Sequence, residues 1–483
     1  MPSLSEHTDM LCQLFLKLKG EYPLSINPMA PSGSTRQYYR IKSKTLNLIG
    51  TYNPNIAENE SFFYLAAHFL KYGFNVPRLL SVDESRSYYL QTDHGDVSLF
   101  NLVQESLGVN GLTEPLINYY KSAIHQLLRF QFTAHKGLDY RKTWQGMAFD
   151  KKSIINDLNY FKYYFVKLHE PSTNETLLDR DFEHFADLID TAPKTFFMYR
   201  DYQARNIIVQ NNELYFIDFQ GGRMGPLQYD LVSLLHQAKA RIPAIQRMLL
   251  KQYYLDELEQ YIDPEDIDFN YFYPWFIYLR LLQVLGAYGL RGLIQRKKHF
   301  LESIYFALND LASLLKEHPL PKAMSTLNTV LSMLVDQRGL YKNSESTSEK
   351  ILTIKINSFS YLYGAPPIDH SGHGGGFVFD CRALPNPGRF EKYKPLTGKD
   401  SDVVEFLSNE KQVSEFMHSV TNLISSSIDQ YIKRSFTSLM LSFGCTGGQH
   451  RSVYCAEKLY GIIKQNYPQV RVIIEHTQLD KIA

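Results

Sequence analysis

The feature that most constrains the fold of this 483-residue chain is a loop-and-hairpin pattern near its middle. Residues 198–206 form a polar loop that contains Asp201 and, five residues later, Asn206. Residues 207–218 then read as two short apolar runs separated by an Asn-Asn turn, and the second run ends at Asp218. β-branched and aromatic runs joined by such a turn predict a β-hairpin. Two acids and an amide are therefore placed around one hairpin.

Three oxygen-bearing side chains at this spacing fit one kind of chemistry. Phosphoryl transfer to a hydroxyl needs a carboxylate that orients and deprotonates the acceptor, together with oxygen ligands for a Mg²⁺ ion that bridges the phosphates. The pattern Arg-Asp-x-x-x-x-Asn, followed about a dozen residues later by Asp-Phe, matches the catalytic loop and metal motif of kinases. The simpler interpretation is that these residues only make turn hydrogen bonds and cap a helix. Three matching positions with apolar strands between them favour phosphoryl transfer.

Three segments carry a wider resemblance: Arg200–Asn206, Ile217–Leu235 and Leu282–Gly289. Through them the chain resembles the aminoglycoside-phosphotransferase-like kinases over roughly residues 10–320. Within that family it is most similar to the bacterial kinases that phosphorylate N-acetylmuramate and N-acetylglucosamine at the anomeric hydroxyl. The resemblance implies a two-lobed α+β fold, ATP and Mg²⁺ as cofactors, and an amino-sugar substrate.

The resemblance also implies a role for individual residues of the loop. Asp201 would be the catalytic base, and Asn206 and Asp218 would be the Mg²⁺ ligands. Arg200 and Asp230 would support the catalytic loop structurally. Before Arg200, Tyr199 stands where many relatives have His, and Gln203 stands where sugar kinases often have His.

A second candidate segment lies near the N-terminus, in the Ser/Gly-rich run Pro31–Arg40. A loop of small residues lets backbone N–H groups approach phosphates, although such loops are often plain turns. Relatives carry a similar Ser/Arg/Tyr-rich loop at this place. We therefore expect Ser32, Gly33, Ser34 and Arg40 to bind ATP.

The phosphate-binding lysine of kinases is missing from the next predicted strand, residues 46–52. Arg40, Lys42 or Lys44 could replace this lysine. Glu58 or Glu60 would then be the acid on the following helix. The missing lysine also leaves open that the protein is a pseudokinase scaffold.

The chain divides near residues 336–350, a polar and aperiodic linker. We expect a kinase-like domain over 1–335, with a small lobe over about 1–95 and a large lobe over about 96–335. After the linker, an alternating run rich in β-branched residues begins at Ile351 and predicts a strand. A smaller α/β domain would occupy 351–483.

The C-terminal region contains a strand, a glycine-rich loop and a helix in succession. The strand 438–443 is apolar, residues 444–452 read Gly-Cys-Thr-Gly-Gly-Gln-His-Arg-Ser, and a helix follows. Exposed N–H groups, the positive helix end and an arginine together favour an anion. The spacing Cys-x5-Arg also fits a cysteine-phosphatase loop, and a buried structural cysteine beside a tight turn is the simpler alternative.

This region resembles the C-terminal domain of the RNase adapter RapZ family over about residues 351–476. The match runs through 377–387, 396–400 and 444–454. In that family the loop resembles a phosphate pocket for glucosamine 6-phosphate, and the domain serves RNA binding. The residues that would line the pocket by this resemblance are Asp380, Arg382, Cys445, Thr446, Gly447, Gly448, His450 and Arg451.

Composition limits the partners. The net charge of +1 argues against a polybasic coat for nucleic acid or membranes. Lys350–Ala483 carries 15 basic and 12 acidic residues, and Gln449 stands where the adapter has Lys, so RNA is a weaker candidate partner than a phosphorylated sugar. No secretory signal or membrane helix is predicted, and four cysteines without a Cys-x-x-Cys pair fit a cytoplasmic protein.

Overall fold

Strands rich in β-branched and aromatic residues build an antiparallel sheet in the N-terminal part of the chain. The computed structural model of the protein describes residues 4–29, 36–44, 46–106, 111–342, 351–369, 376–434 and 436–479. The strands and helices of this part are α1 (Leu4–Lys19), β1 (Ser25–Pro28), β2 (Gln37–Lys42), β3 (Asn47–Tyr52), α2 (Ile56–Lys71), β4 (Leu79–Val82) and β5 (Tyr88–Thr92). The sheet order is β1-β2-β3-β5-β4.

One face of this sheet is covered by α1. Leu11 and Phe15 of the helix are fully buried against sheet residues such as Ile41 and Leu90. The contact is close enough that a Cβ on Gly50 would come within 2.9 Å of Ile41 and Leu11. Packing of the helix therefore requires a glycine in β3.

The chain between residues 96 and 342 is mainly helical. Its helices are α3 (Leu99–Ser106), α4 (Glu114–Leu128), α5 (Lys151–Phe161), α6 (Lys167–His169), α7 (Glu175–Asp190), α8 (Leu227–Leu235), α9 (Ala244–Leu258), α10 (Phe269–Tyr288), α11 (Lys298–Glu317) and α12 (Ser325–Asp336). Its strands are β6 (Phe196–Met198), β7 (Ile207–Gln210), β8 (Glu213–Phe216) and β9 (Arg223–Gly225). Antiparallel pairs form between β6 and β9 and between β7 and β8, so the predicted hairpin is present.

The C-terminal region forms a parallel sheet with helices. Its elements are β10 (Thr353–Ser360), β11 (Gly376–Asp380), α13 (Ser401–Ser408), α14 (Lys411–Lys433), β12 (Ser438–Cys445), α15 (Arg451–Asn466) and β13 (Arg471–His476). The order is β11-β12-β10-β13, and all three pairings are parallel. Apolar residues of β10 and β12 pack with the helices into one core, including Ile354, Ile356, Leu439, Leu441 and Val403.

The element order confirms the predicted fold class. A β-rich part precedes a helical part, as expected for an α+β two-lobed kinase-like domain, and a smaller α/β unit follows with a strand, a loop and a helix. Of the predicted linker at 336–350, Gln337–Tyr341 forms a 3₁₀ helix, and residues 343–350 lie outside the described residues.

The chain forms two compact units, each built from separate stretches. The first comprises Met1–Asn159, Thr176–Gln283 and Asp310–Asn328, and the second comprises Tyr160–Glu175, Val284–Asn309 and Thr329–Ala483. The second unit takes in helical stretches from before residue 335 as well as the C-terminal sheet. The domain boundaries expected from the sequence therefore stay a prediction.

Candidate active site and anion-binding loop

The catalytic-loop candidate begins directly after β6. Asp230, in the first turn of α8, accepts the backbone N–H of Tyr199 at 2.6 Å and that of Arg200 at 2.9 Å. Burial raises the pKa of Asp230 to about 7, although the two N–H donors act in the opposite direction. The entry to the loop is thus fixed by a fully buried acid from a neighbouring helix.

Arg200 anchors the same loop through its side chain. Its guanidinium donates to both oxygens of Asp157, at 2.7 and 2.8 Å, and to the hydroxyl of Tyr229 at 2.6 Å. Nη2 bonds Asp157 and Nη1 bonds Tyr229, so two partners fix the orientation of the guanidinium as well as its position. The backbone of Arg200 has φ of +79°, a conformation that non-glycine residues adopt at a cost. The bonds to Asp157 and Tyr229 compensate for that cost.

Asp201 presents a half-exposed carboxylate, with 42% of the side chain accessible. Its Oδ1 accepts Nε2 of Gln203 at 3.1 Å and lies 3.6 Å from the guanidinium of Arg280. Burial acts to raise the pKa of Asp201, but Arg280, Arg200 and Arg205 outweigh it and hold the pKa below its ordinary value. Asp201 is therefore ionised at neutral pH.

The hairpin brings Asn206 and Asp218 together. The register pairs Ile207 with Phe216, and the N–H of Ile217 donates to the carbonyl of Asn206 at 3.0 Å. Nδ2 of Asn206 donates to the carbonyl of Asp201 at 2.9 Å and lies 3.4 Å from Oδ2 of Asp218. All three predicted residues thus meet at one end of the hairpin.

This group of oxygens fits Mg²⁺. Among the residues that the structure describes, Nδ2 of Asn206 makes both of that side chain's hydrogen bonds, which leaves its Oδ1 available as a ligand. Asp218 is 41% exposed, and its φ of +68° is the left-handed conformation. One carboxylate and one amide, completed by phosphate oxygens and water, are a donor set that Mg²⁺ accepts in octahedral geometry.

A residue that sequence reasoning missed lies next to these oxygens. Arg36, just before β2, forms an ion pair with Glu58 of α2, and its guanidinium is 3.4 Å from Oδ1 of Asp218. Arg36 is 6% exposed. It places a cation beside Asp218, whereas the strand 46–52 contains no basic residue, and the signal was available because Arg36 lies inside the Ser/Gly-rich segment Pro31–Arg40.

The other candidates for this role have different partners. Arg40 forms ion pairs with Asp93 at 2.8 Å and with Asp96 in the segment after β5, so its charge is already matched. Glu60 binds Arg86. Binding of ATP by Arg40 stays a prediction, and Ser32, Gly33 and Ser34 lie outside the described residues.

A polar cavity of about 540 Å³ lies elsewhere in the first unit. Its lining includes Asn75, Asn118, Gln126, Arg129 and Phe216. It contains none of the predicted site residues. The candidate catalytic residues therefore lie outside this cavity.

In the second unit, the predicted anion loop joins β12 to α15. The strand ends at Cys445 and the helix begins at Arg451. Gly448 has φ of +70°, and a Cβ there would come within 2.7 Å of Gln478 and 2.9 Å of Ser360. The loop is therefore packed so tightly at this position that a glycine is required.

Most side chains of this loop are committed to the protein itself. Sγ of Cys445 lies 3.1 Å from Oγ of Ser452, and His450 bonds the carbonyl of Tyr393 at 2.9 Å. Arg451 donates to the carbonyls of Arg382 and Leu384 at 2.7 and 3.0 Å. Cys445, His450 and Arg451 are each less than 9% exposed. Asp380 and Arg382 are exposed and bind each other through two-point contacts.

The backbone of the loop is left with unused donors. Among the described residues, the N–H groups of Thr446, Gly447, Gly448 and Gln449 have no acceptor. They precede a 16-residue helix whose N-terminus carries partial positive charge. This combination of backbone N–H groups and helix end can hold a phosphate or carboxylate without any side chain.

Models of two known families match the two parts of the chain that contain these loops. The model of the Phosphotransferase enzyme family matches residues 30–265, and that of the RapZ C-terminal domain matches residues 352–480. The protein carries a phosphotransferase-family domain followed by a RapZ C-terminal domain. The resemblance inferred from the sequence is thereby confirmed at the level of family.

Curated relatives share only part of the chain. A nucleotide-binding protein of Fervidobacterium nodosum is 38% identical over 137 residues, which are 28% of this chain and 45% of the relative. A nucleotide-binding protein of Glaesserella parasuis serovar 5 is 31% identical over 192 residues, 40% of this chain and 56% of the relative. The chain spans about half the length of the curated relatives it matches.

Solved structures are similar at low identity. The choline kinase LicA from Streptococcus pneumoniae has a TM-score of 0.42 at 11% identity, covering 69% of this chain and 99% of that chain. Spectinomycin phosphotransferase APH(9)-Ia, in complex with ADP and spectinomycin, has a TM-score of 0.41 at 13% identity, covering 68% of this chain and 98% of that chain.

Within the described residues, no helix combines the length and apolar character needed to cross a bilayer.

Proposed function

We propose that the protein is an ATP-dependent kinase that phosphorylates an amino sugar at its anomeric hydroxyl, with N-acetylmuramate and N-acetylglucosamine as candidate acceptors. The observation that carries the proposal is the meeting of an ionised Asp201 with Asn206 and Asp218 at one end of a hairpin. The phosphotransferase-family match supports the reaction class. The choice of an amino sugar rests on the sequence resemblance of both parts of the chain.

In this mechanism the chain supplies orientation and charge. Asp201 accepts a hydrogen bond from the acceptor hydroxyl and takes its proton as the oxygen bonds to the γ-phosphorus. Asn206 and Asp218 would hold Mg²⁺, which supplies positive charge to the phosphate oxygens when bound. Arg36, held by Glu58, adds a guanidinium beside Asp218, where the phosphates of ATP would lie.

We propose a second role for the RapZ C-terminal domain, the binding of a phosphorylated sugar such as glucosamine 6-phosphate. The unused N–H groups of residues 446–449 and the start of α15 support an anionic ligand. RNA is the alternative partner, and the near-balanced charge of this region favours the small anion. The domain would then report on a sugar phosphate to the kinase or handle its product.

A panel of acceptors tests the kinase. Release of ADP is measured with N-acetylmuramate, N-acetylglucosamine, an aminoglycoside and choline, each with wild-type protein and with Asp201→Asn. Matched controls are the 1-O-methyl glycosides of both sugars, which lack the anomeric hydroxyl. We expect turnover with a free sugar, none with its glycoside, and a loss of at least about 10²-fold in Asp201→Asn.

If no acceptor raises turnover of the wild type above that of Asp201→Asn, the kinase proposal is wrong. Calorimetric titration with Mg·ATP then identifies the pseudokinase scaffold, for which no nucleotide binding is expected. Binding of Mg·ATP with turnover on choline or an aminoglycoside would keep the kinase and replace the substrate.

A phosphatase at Cys445 is the remaining alternative. Phosphatase loops of this type aim the arginine at the phosphoryl group, but Arg451 is 6% exposed and its Nη1 bonds two backbone carbonyls. Hydrolysis of p-nitrophenyl phosphate that disappears in Cys445→Ser would support the alternative. Absence of hydrolysis in the intact protein would remove it.

A further inference from the structure

The two carboxylate oxygens of Asp201 have different surroundings. Oδ1 accepts Nε2 of Gln203 at 3.1 Å and is the oxygen nearest to Arg280, at 3.6 Å. Within the described part of the chain, nothing donates to Oδ2. Since 42% of the side chain is exposed, one oxygen is held by the protein while the other is open to a ligand.

Gln203 can present only its amide nitrogen to Asp201. Nη2 of Arg205 donates to Oε1 of Gln203 at 2.6 Å, and an arginine has no acceptor, so the amide oxygen must face Arg205. Gln203 is 4% exposed, whereas Arg205 lies at the surface. Arg205, Gln203 and Asp201 thus form a chain of donors in which each bond fixes the direction of the next.

Arg280 holds the same oxygen from a second element. It lies in α10, is 4% exposed, and is fixed by a bond to Oε1 of Gln283 at 2.8 Å and by a contact with the hydroxyl of Tyr229 at 3.3 Å. The guanidinium is therefore placed before any substrate arrives. A carboxylate with a hydrogen bond from one element and an ion pair from another at the same oxygen cannot rotate to exchange its oxygens without breaking both contacts.

We propose that Gln203, Arg205 and Arg280 are positioning residues that hold Asp201 by Oδ1 and leave Oδ2 as the atom that accepts the proton of the substrate hydroxyl. The inference rests on the proposed function and specifies its base to one atom. In the step, the hydroxyl O–H bond breaks and its proton goes to Oδ2. The hydroxyl oxygen bonds to the γ-phosphorus, and the bond from that phosphorus to the bridging oxygen breaks, with its electrons leaving on ADP.

The consequence is a specific pattern of kinetic defects. These residues orient the carboxylate of Asp201 and do not supply the base itself. Their removal should therefore affect the transition state more than the binding of either substrate. Displacement of a reacting group by about 1 Å costs on the order of 10²-fold in rate. Because Arg205 is bonded to Asp201 only by way of Gln203, the positioning effects of the two removals should not add, whereas removal of Arg280 should add to either one.

The experiment compares variants by steady-state kinetics with the acceptor found in the sugar panel. The variants are Gln203→Leu, Arg205→Met, Arg280→Gln, the double variant of Gln203→Leu with Arg205→Met, and the double variant of Gln203→Leu with Arg280→Gln. Gln203→His is the conservative rescue, since a ring N–H can still donate to Oδ1. Arg247→Gln is the matched control, because Arg247 forms a comparable ion pair with Asp310 at 3.0 Å away from the catalytic loop.

We expect kcat to fall about 10- to 100-fold in Gln203→Leu and Arg280→Gln, with KM for sugar and ATP changed by less than about 3-fold. Gln203→His should recover most of kcat. The Gln203–Arg205 double variant should match Gln203→Leu alone, and the Gln203–Arg280 double variant should be worse than either single variant. Arg247→Gln should keep its kcat.

Each other outcome decides against the proposal. An unchanged kcat in Gln203→Leu, or a defect confined to KM, overturns it while wild-type turnover keeps the kinase in place. Wild-type protein that phosphorylates no acceptor overturns the proposed function itself, and this inference with it. Thermal unfolding is measured for every variant. If Arg280→Gln does not fold, Arg280→Lys replaces it. The same loss of kcat is expected, because a lysine ammonium cannot reproduce the planar, oriented donors of a guanidinium.

Discussion

The catalytic loop after β6 and the anion loop after β12 both follow a buried strand and both suit phosphate chemistry, yet they expose different groups. In the first, Asp201 and Asp218 are 42% and 41% exposed and present side-chain oxygens. In the second, Cys445, His450 and Arg451 are less than 9% exposed, and the N–H groups of residues 446–449 have no acceptor among the described residues. A loop that must move a proton needs side chains, whereas a loop that only holds an anion can be made of peptide groups.

The difference extends to how each loop is stabilised. Asp230 and Asp157, which lie outside the loop, bind its backbone and the side chain of Arg200, and the carboxylates of Asp201 and Asp218 stay partly exposed. The side chains of the anion loop are themselves the anchors, as with Arg451 on the carbonyls of Arg382 and Leu384. Substitutions should therefore abolish function in the first loop by removing chemistry, and in the second by changing backbone geometry.

The largest effect is expected at the paired acids. Asp218→Asn should lower kcat by about 10³-fold and also weaken binding of Mg·ATP, because a metal ligand is lost. Asp201→Asn should lower kcat to a similar degree but leave Mg·ATP affinity nearly unchanged. Steady-state kinetics and calorimetric titration separate the two roles. Equal loss of nucleotide affinity in both variants would contradict the division between base and ligand.

The next effect concerns two neighbouring glycines of the anion loop. Gly448→Ala should weaken binding of glucosamine 6-phosphate by at least about 10-fold, because φ of +70° and contacts of 2.7 and 2.9 Å exclude a Cβ. Gly447→Ala is the matched control, since no atom lies within 4 Å of the position that its methyl group would take and its φ is not positive. Calorimetric titration measures both. Similar affinities for the two variants would contradict binding of the anion by the backbone of this loop.

A smaller effect, on the KM for ATP, is expected at Arg36, which we propose takes the place of the missing kinase lysine. Arg36→Met should raise KM for ATP by about 10-fold, because a buried guanidinium beside Asp218 is lost. Arg40→Met should change that KM by less than about 3-fold and lower the thermal midpoint instead, since Arg40 pairs with Asp93 and Asp96. If Arg40→Met raises KM as much as Arg36→Met does, Arg40 is an ATP ligand as the sequence predicted.

Replacement of the loop cysteine should have little effect. Cys445→Ser should keep the affinity for glucosamine 6-phosphate within about 3-fold, because Sγ is buried and faces Ser452, which a hydroxyl can also bond. A larger loss would show that the thiol contributes to the ligand site. The same titration format allows direct comparison with Gly448→Ala.

The smallest change is expected on varying pH. Arginines outweigh burial and hold the pKa of Asp201 below its ordinary value, so its base form is present above that lowered pKa and is lost only as pH falls through it. The kcat/KM profile should therefore show no acidic limb from Asp201 between about pH 6 and about pH 8. Initial rates across that range, with saturating Mg·ATP, check this. A limb that moves in Asp201→Glu would contradict it.

Much of the fold could be predicted because local pattern and tertiary structure agree. The hairpin at 207–218, the strands over 37–42 and 47–52 and the helix at 56–71 follow from β-branched alternation and helical spacing. The short strand Ser25–Pro28 has no such alternation and owes its existence to pairing with β2. The 3₁₀ helix Gln337–Tyr341 was not predicted, because a 3₁₀ turn needs no apolar periodicity.

The sequence by itself determined which chemical groups are present and how far apart they lie along the chain. It placed Asp201, Asn206 and Asp218 around one hairpin, because register and turn type are local properties. Only the tertiary structure decided which arginine forms an ion pair with which acid. Arg36 rather than Arg40 reaches Glu58, and Arg280 reaches Asp201 from a distant helix, since long-range pairing depends on how sheet and helices pack and leaves no periodic trace in the sequence.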